Sequence, residues 1–215
     1  MTLTQTPLNI AELRQPHVEA SYSHRNVHDH LKDHTIPELQ EITQVSTYPF
    51  WVMTLNVLGD LNLATVIRSA HLMGAEQVVV FGRRKFDNRG LVGAAHYTPV
   101  DKVYAVDQHL DIEADKFRDY LIKHKLVPVF VEQGGENCWE VDWPGLINPM
   151  LNLDRKPILV VGTERDGIPT NLMDVGNHMG GKIVSIPQRG VLRSHNLSMA
   201  FAIVASQMIG QLGWY

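Results

Sequence analysis

Only one cysteine, Cys138, occurs in 215 residues. Neither an intrachain disulfide nor a cysteine-built zinc site within one chain is therefore available, and a reducing, cytosolic compartment is expected. Positive charge is also scarce: 19 Lys and Arg against 23 Asp and Glu leave a net charge of −4, a poor global signature for a nucleic-acid binder. The opening twenty residues lack an apolar run, mixing Gln, Asn, Glu and Arg instead, so no secretory signal is expected. The stretch 194–215 has no charged side chain, yet Ser194, His195, Asn196, Ser198, Ser206, Gln207 and Gln211 make it too polar for a membrane span. No Gly-x-Gly loop follows an early strand pattern, which counts against a conventional Rossmann cofactor site. Internal repeats and low-complexity tracts are absent as well.

Hydrophobic residues make up 44% of the chain, enough for a substantial core. From Phe50 onward, short apolar runs predict strands at 50–55, 77–81, 102–106, 127–131, 157–161 and 182–186. Helical patterns between most of them cover 62–73, 112–124 and 169–175, and a last helix covers 194–212. Such alternation predicts an α/β fold, a mostly parallel sheet with helices on both faces. In the last helix Leu197, Ala200, Phe201, Val204 and Met208 recur at helical spacing, with apolar residues on other faces too. It therefore wants cover nearly all round, partly from a second subunit.

The first 49 residues read as a short helical extension ahead of a domain spanning 50–215. A short helix is predicted over 26–32, and Thr35-Ile36-Pro37-Glu38 has capping-box spacing for a second one reaching about Val45. His24, His28, His30 and His34 include two pairs four residues apart, a spacing that suits ligation from one helix face. No carboxylate or cysteine completes a convincing set, and no metal is expected. Trp139 and Trp143 bracket a polar stretch that could stack a base, although partial burial at an edge is the better expectation.

Two loops carry most of the chemistry. In Gly162-Thr163-Glu164-Arg165-Asp166-Gly167 the glycines are five apart, as the outer glycines of a dinucleotide fingerprint are, but Glu164 takes the middle glycine position. A carboxylate there would repel a pyrophosphate at the helix N-terminus, so a cationic or zwitterionic ligand is expected. The second loop starts at Ile186-Pro187 and runs to Ser194-His195-Asn196, placing Ser194 and Asn196 at a helix start. Each loop follows an apolar run and should lie at the carboxyl end of a buried strand, where open α/β sheets bind ligands. Upstream, Arg68 lies almost two turns into a helix that begins near Asn62, among apolar neighbours expected to face a core. In that setting it needs an anionic partner.

Charge is unevenly spread. Residues 51–100 hold five bases against three acids, including Arg83-Arg84-Lys85, and residues 180–215 hold Lys182, Arg189 and Arg193 with no acid. Residues 101–142 hold ten acids against five bases. A basic active-site face with an acidic back is the expected arrangement, with Arg83, Arg84, Lys85, Arg189 and Arg193 as candidate RNA contacts.

Taken in order, these three segments resemble the motifs of the SpoU (TrmH-like) branch of the SPOUT RNA methyltransferases. Asn62 and Arg68 match the first, Gly162, Glu164 and Gly167 the second, and Ile186, Pro187, Gly190, Ser194, Asn196 and Ser198 the third, with His195 in place of the usual leucine. The resemblance covers about residues 50–212. It implies a C-terminal segment threaded into a deep trefoil knot, an exception to the rule against knotted chains. It also implies S-adenosylmethionine as cofactor, a homodimer, and methylation of a ribose 2′-hydroxyl in tRNA or rRNA. Carried over by position, Gly162, Glu164, Gly167, Ile186, His195 and Asn196 would hold the cofactor, His195 through its backbone. Arg68, Asn62, Glu164, Ser194 and Asn196 would form the catalytic surroundings. The alternatives are a non-catalytic RNA-binding scaffold that keeps the fold, and a base-methylating SPOUT enzyme.

Overall fold

The computed structural model describes residues 25–57, 61–83, 85–87 and 89–215; the expectations for Arg84 and His24 fall outside them. Six strands form one sheet in the order β3-β2-β1-β5-β4-β6. They are β1 (Tyr48–Asn56), β2 (Ala75–Gly82), β3 (Val100–Tyr104), β4 (Leu126–Asn137), β5 (Lys156–Val161) and β6 (Lys182–Ser185). Every neighbouring pair is parallel. Runs such as Val78-Val79-Val80-Phe81 and Ile158-Leu159-Val160-Val161, buried along their whole length, are what a parallel sheet covered on both faces demands.

Helices α1 (Ile36–Val45), α2 (Leu61–Leu72), α3 (Ala114–Lys123), α4 (Trp143–Asn152), α5 (Thr170–His178) and α6 (Leu197–Leu212) complete the fold. One face of the sheet packs against α2, α4 and α6, where Leu63, Val66, Ile67, Trp143, Phe201 and Val204 meet Val52, Val78 and Leu159. The other packs against α3 and α5 through Phe117, Leu121 and Leu172 over Met53, Phe81 and Phe130. In α2 the buried residues Leu63, Val66, Ile67 and Ala70 follow the i, i+3, i+4, i+7 rule, which leaves Thr65, Arg68 and Leu72 exposed. Arg68 is thus not embedded in the core: its position faces away from the apolar stripe, and among the described residues it has no carboxylate partner.

Ahead of the sheet, α1 starts where its capping box places it. The Glu38 backbone N–H donates to Thr35 Oγ1 at 3.4 Å, and the Thr35 N–H donates to Glu38 Oε2 at 2.7 Å. Leu39 anchors this helix inward, and the Gln40 side chain donates to the His96 carbonyl at 2.8 Å. The helix expected over 26–32 is reduced to one 3-10 turn, Asp29–Leu31. Helix α4 has no counterpart among the expected helices, and its Pro144, Gly145 and Pro149 are poor helix formers. Pro144 in fact occupies the first turn, where its missing N–H costs nothing, and Asp142 caps the helix by accepting from the Gly145 N–H at 3.0 Å. Trp143 is fully buried with its indole N–H donating to the Cys138 carbonyl at 3.2 Å, so it is not a stacking residue; Trp139 stays 48% exposed. No helix among the described residues is long and apolar enough to cross a membrane.

Candidate functional site

Because all six strands run the same way, their following loops collect at one edge of the sheet. The loop after β5 closes on itself: Thr163 and Gly167 exchange backbone hydrogen bonds at 2.9 and 3.1 Å, and the Thr163 hydroxyl accepts from the Asp166 N–H at 3.1 Å. Both glycines are required by this turn. A Cβ on Gly162 would lie 2.3 Å from the Gly167 carbonyl carbon, and Gly167 itself has φ +67°. The spacing that resembles a dinucleotide fingerprint therefore makes a compact hairpin-like turn instead of a phosphate cradle.

The second wall comes from inside β4. This strand pairs with β6 as far as Val131↔Val184, departs for residues 132–135, and resumes at Glu136↔Val184 and Asn137↔Ser185. The excursion touches both neighbouring loops. Glu132 Oε2 accepts from the Ile168 N–H at 2.9 Å, and Gln133 Nε2 donates to the Arg193 carbonyl at 2.6 Å. Sequence reasoning ended this strand at Val131 and missed Glu132 and Gln133. The available signal was a polar Glu-Gln-Gly-Gly run directly after a buried apolar strand.

The third wall is the loop from Ile186 to Asn196. Asn196 rather than Ser194 caps α6: its Oδ1 accepts from the Ser198 N–H at 3.0 Å and from the Ser198 hydroxyl at 2.7 Å. Its Nδ2 donates to Asn62 Oδ1 at 3.0 Å, across 134 positions of sequence. The start of α2 is thereby tied to the start of α6. Ser194 and His195 are exposed in the loop itself.

Between these walls lies an open cleft of about 470 Å³, lined by Gly162, Glu164, Gly167, Ile186, Ser194, His195 and Asn196 among the expected residues. Val131, Ile186, Leu197 and Ala200 supply its apolar surface. Its charged lining comprises the carboxylates of Glu132, Glu164 and Asp166 and the guanidinium groups of Arg165 and Arg193. The expected basic active-site face is thus not found at the cleft, where the acids are in the majority. Glu132 comes from the acid-rich segment expected at the back, brought forward by the β4 excursion.

Arg68 stands apart. Six residues beyond Asn62 on α2, it lies about 9 Å further along the helix axis, and it lines a second groove of about 330 Å³ with Leu31, Leu39, His71, Leu91 and Tyr97. His71 Nδ1 is 2.7 Å from the Thr98 hydroxyl, and burial lowers its pKa below the usual 6.5. Arg83, Lys85 and Arg189 are exposed and outside the cleft. No group of three or more His, Cys, Asp or Glu that could hold a metal ion exists among the described residues.

Comparison with known proteins places this geometry. The fold is similar to that of a TrmH/SpoU tRNA modifying enzyme from A. aeolicus, with a TM-score of 0.59 and 21% identity over 84% of this chain and 85% of that one. It is also similar to an AdoMet-bound rRNA methyltransferase from Sinorhizobium meliloti (TM-score 0.58, 21% identity, 81% of this chain and 60% of that one). A third similar structure is an RNA 2′-O ribose methyltransferase (TM-score 0.57, 21% identity, 77% and 58%). The chain therefore spans about three-fifths of the latter two. No curated protein matches by sequence. The model of the SpoU rRNA methylase family matches residues 49–206, a span that contains all three loops and both tethered asparagines, and the chain belongs to that family.

Proposed function

We propose that the protein is an S-adenosylmethionine-dependent RNA methyltransferase that modifies a ribose 2′-hydroxyl in tRNA or rRNA. The observation that carries this is the Asn62–Asn196 hydrogen bond, which joins the first motif to the third at the lip of a cleft built by the second. The cleft's volume suits a small-molecule ligand. Three carboxylates against two guanidinium groups favour a ligand bearing a sulfonium, and the compact glycine turn leaves no phosphate cradle. When bound, S-adenosylmethionine supplies an electrophilic methyl group. Gly162, Gly167, Ile186 and the backbone at His195 would hold it, with Glu164 and Asn196 orienting it. In this reading the C-terminal segment forms the deep trefoil knot of the family, and residues 1–49 are an appended helical extension.

The chain's own contribution is positioning and charge. Arg68 grips the phosphate beside the target ribose and stabilises the developing alkoxide, a task that suits a planar guanidinium. Ser194 and Asn196 hold the loop and substrate, Asn196 being itself tied to Asn62. Because Arg68 does not line its own protomer's cleft, a homodimer in which Arg68 of one protomer serves its partner accounts for both positions. Exposed apolar side chains at Leu72 on α2, Val191 and Leu192 in the loop before α6, and Met199 on α6 support such a contact. Light scattering should give twice the 24.2 kDa chain mass; a catalytically active monomer would refute it. A cytosolic location fits this reading and the single cysteine.

Tritiated methyl transfer into total tRNA and rRNA, followed by nucleoside analysis, tests the activity. Label in 2′-O-methylnucleosides is expected. Label confined to bases would move the protein to the base-methylating class, and RNA binding without transfer would make it a scaffold.

A further inference from the structure

The cleft leaves open how an acidic protein holds RNA, since carboxylates outnumber guanidinium groups around the reacting centre. The basic side chains that qualify sit elsewhere on the same edge of the sheet. The loop following β2 carries Arg83 and Lys85, and β3 contributes Lys102 and Tyr104. Among the described residues none of Arg83, Lys85 and Lys102 is paired with a carboxylate. The nearby acids are engaged. Asp87 holds Arg89 with a 2.6 Å contact, Asp101 accepts from the Tyr120 hydroxyl at 2.8 Å, and Glu113 pairs with Lys116 at 2.8 Å.

This strip also carries aromatic groups. Buried Asn56, at the end of β1, donates through Nδ2 to the carbonyls of Arg83 and Lys85 at 2.5 and 3.0 Å; Arg83 and Lys85 are both exposed, with one guanidinium nitrogen of Arg83 donating to the Val57 carbonyl at 3.3 Å. Lys102 Nζ sits 5.0 Å from the centre of the Phe86 ring, and Lys116 Nζ 5.9 Å from that of Tyr104. Lys102 and Tyr104 are two apart on an edge strand and so share a face. Tyr104 is 51% exposed, large and flat, and two positions along the strand from Lys102, which has no carboxylate partner among the described residues. That combination of a cationic groove and an aromatic platform is how single strands are held without sequence readout. Three strand spacings separate β3 from β5, about 14 Å at the usual inter-strand distance, so one RNA strand can span the cleft and this strip.

We propose that Arg83, Lys85, Lys102 and Tyr104 form a docking track for the RNA strand flanking the target nucleotide, with Tyr104 stacking on an unpaired base and the three cations contacting phosphates. This rests on the RNA-methyltransferase assignment above for its substrate, but the track is testable without methyl transfer. The probe is a short, unstructured, fluorescently labelled oligoribonucleotide titrated with the full chain over a range of salt concentrations. Tyr104→Ala should weaken binding about five-fold or more, as loss of one base stack does, whereas Tyr104→Phe should bind like wild type. Lys102→Ala should lower the slope of log affinity against log salt by about 0.7, the release expected for one phosphate on a single strand. S-adenosylmethionine affinity should not change in any variant. Absence of salt-dependent binding by the wild type overturns the track, and so do wild-type affinity and slope in both Tyr104→Ala and Lys102→Ala. Binding through these residues by a chain that transfers no methyl group to tRNA or rRNA would refute the enzymatic assignment while leaving the track standing.

Discussion

Asn196 serves two helices at once: its carbonyl oxygen caps α6 and its amide nitrogen reaches Asn62 at the start of α2. Stability and site geometry therefore separate by substitution. Asn196→Ala should lose the cap, about 1 kcal/mol, together with the tether. Asn196→Ser should retain most of the cap but cannot reach Asn62, and Asn62→Ala should lose the tether alone. All three should reduce methyl transfer by a similar factor, whereas only Asn196→Ala should lower the melting temperature appreciably. Transfer that tracks melting temperature across the set would contradict this.

Gly162→Ala should abolish cofactor binding. The new methyl group would press on the Gly167 backbone at 2.3 Å, where no flexible side chain can give way. The turn must open or the sheet end must shift, with an overpacking cost of about 1–3 kcal/mol. Calorimetric titration with S-adenosylmethionine or its demethylated product reads the first effect and thermal unfolding the second.

Arg68→Ala should leave folding nearly unchanged, since an exposed side chain without an ion pair contributes within about 0.5 kcal/mol. Single-turnover methyl transfer should nonetheless fall by about 10² to 10³, as when one oxyanion donor is lost, with cofactor affinity preserved. Arg68→Lys should recover only part, because a point charge cannot reproduce the planar fork. Wild-type transfer by a folded Arg68→Ala protein would remove this residue from the chemistry.

Acid should destabilise the fold through His71. Burial lowers its pKa in the folded state below the 6.5 of the free side chain, so folded and unfolded chains are both neutral there at higher pH. As pH falls below 6.5 the unfolded chain takes up the proton first, and stability is lost until the folded pKa is passed. His124 shifts in the same direction, chiefly by burial and then through Lys123. His71→Gln should flatten this part of the profile while keeping a polar group near Thr98. Melting temperatures of wild type and variant on either side of pH 6.5 provide the check, and parallel profiles would exclude His71.

Much of the fold was legible because apolar runs in a parallel sheet are buried on both faces and stand out from their flanks. Each of the six strands overlaps one of those runs, although β3 starts two residues earlier and β4 runs six residues further than expected, and α1 begins at its capping box. Helix α4 was hidden because proline in a first turn and proline in a helix interior look alike in one dimension. At the site, the glycine turn and the Asn196 region followed from local spacing. The role of Glu132 and Gln133 did not, since it depends on how β4 leaves and rejoins β6, a choice made by tertiary pairing. For Arg68, reading neighbours along the chain suggested a buried environment, whereas helix geometry turned it one side away from the buried stripe.

The register jump between β4 and β6 makes the cleft depend on pairings between stretches far apart in sequence. Its walls come from residues 131–133, 162–167, 186–188 and 193–200, and no two of these stretches become neighbours through a simple hairpin. Each pairing waits for a crossover, so loop-closure entropy must be overcome before any wall meets another. A chain stopped at the end of β6 would lack the last wall and the Asn62 tether together. Any ligand bridging the walls acts as a clasp on the assembled carboxyl-terminal third and favours the complete fold in proportion to its own saturation.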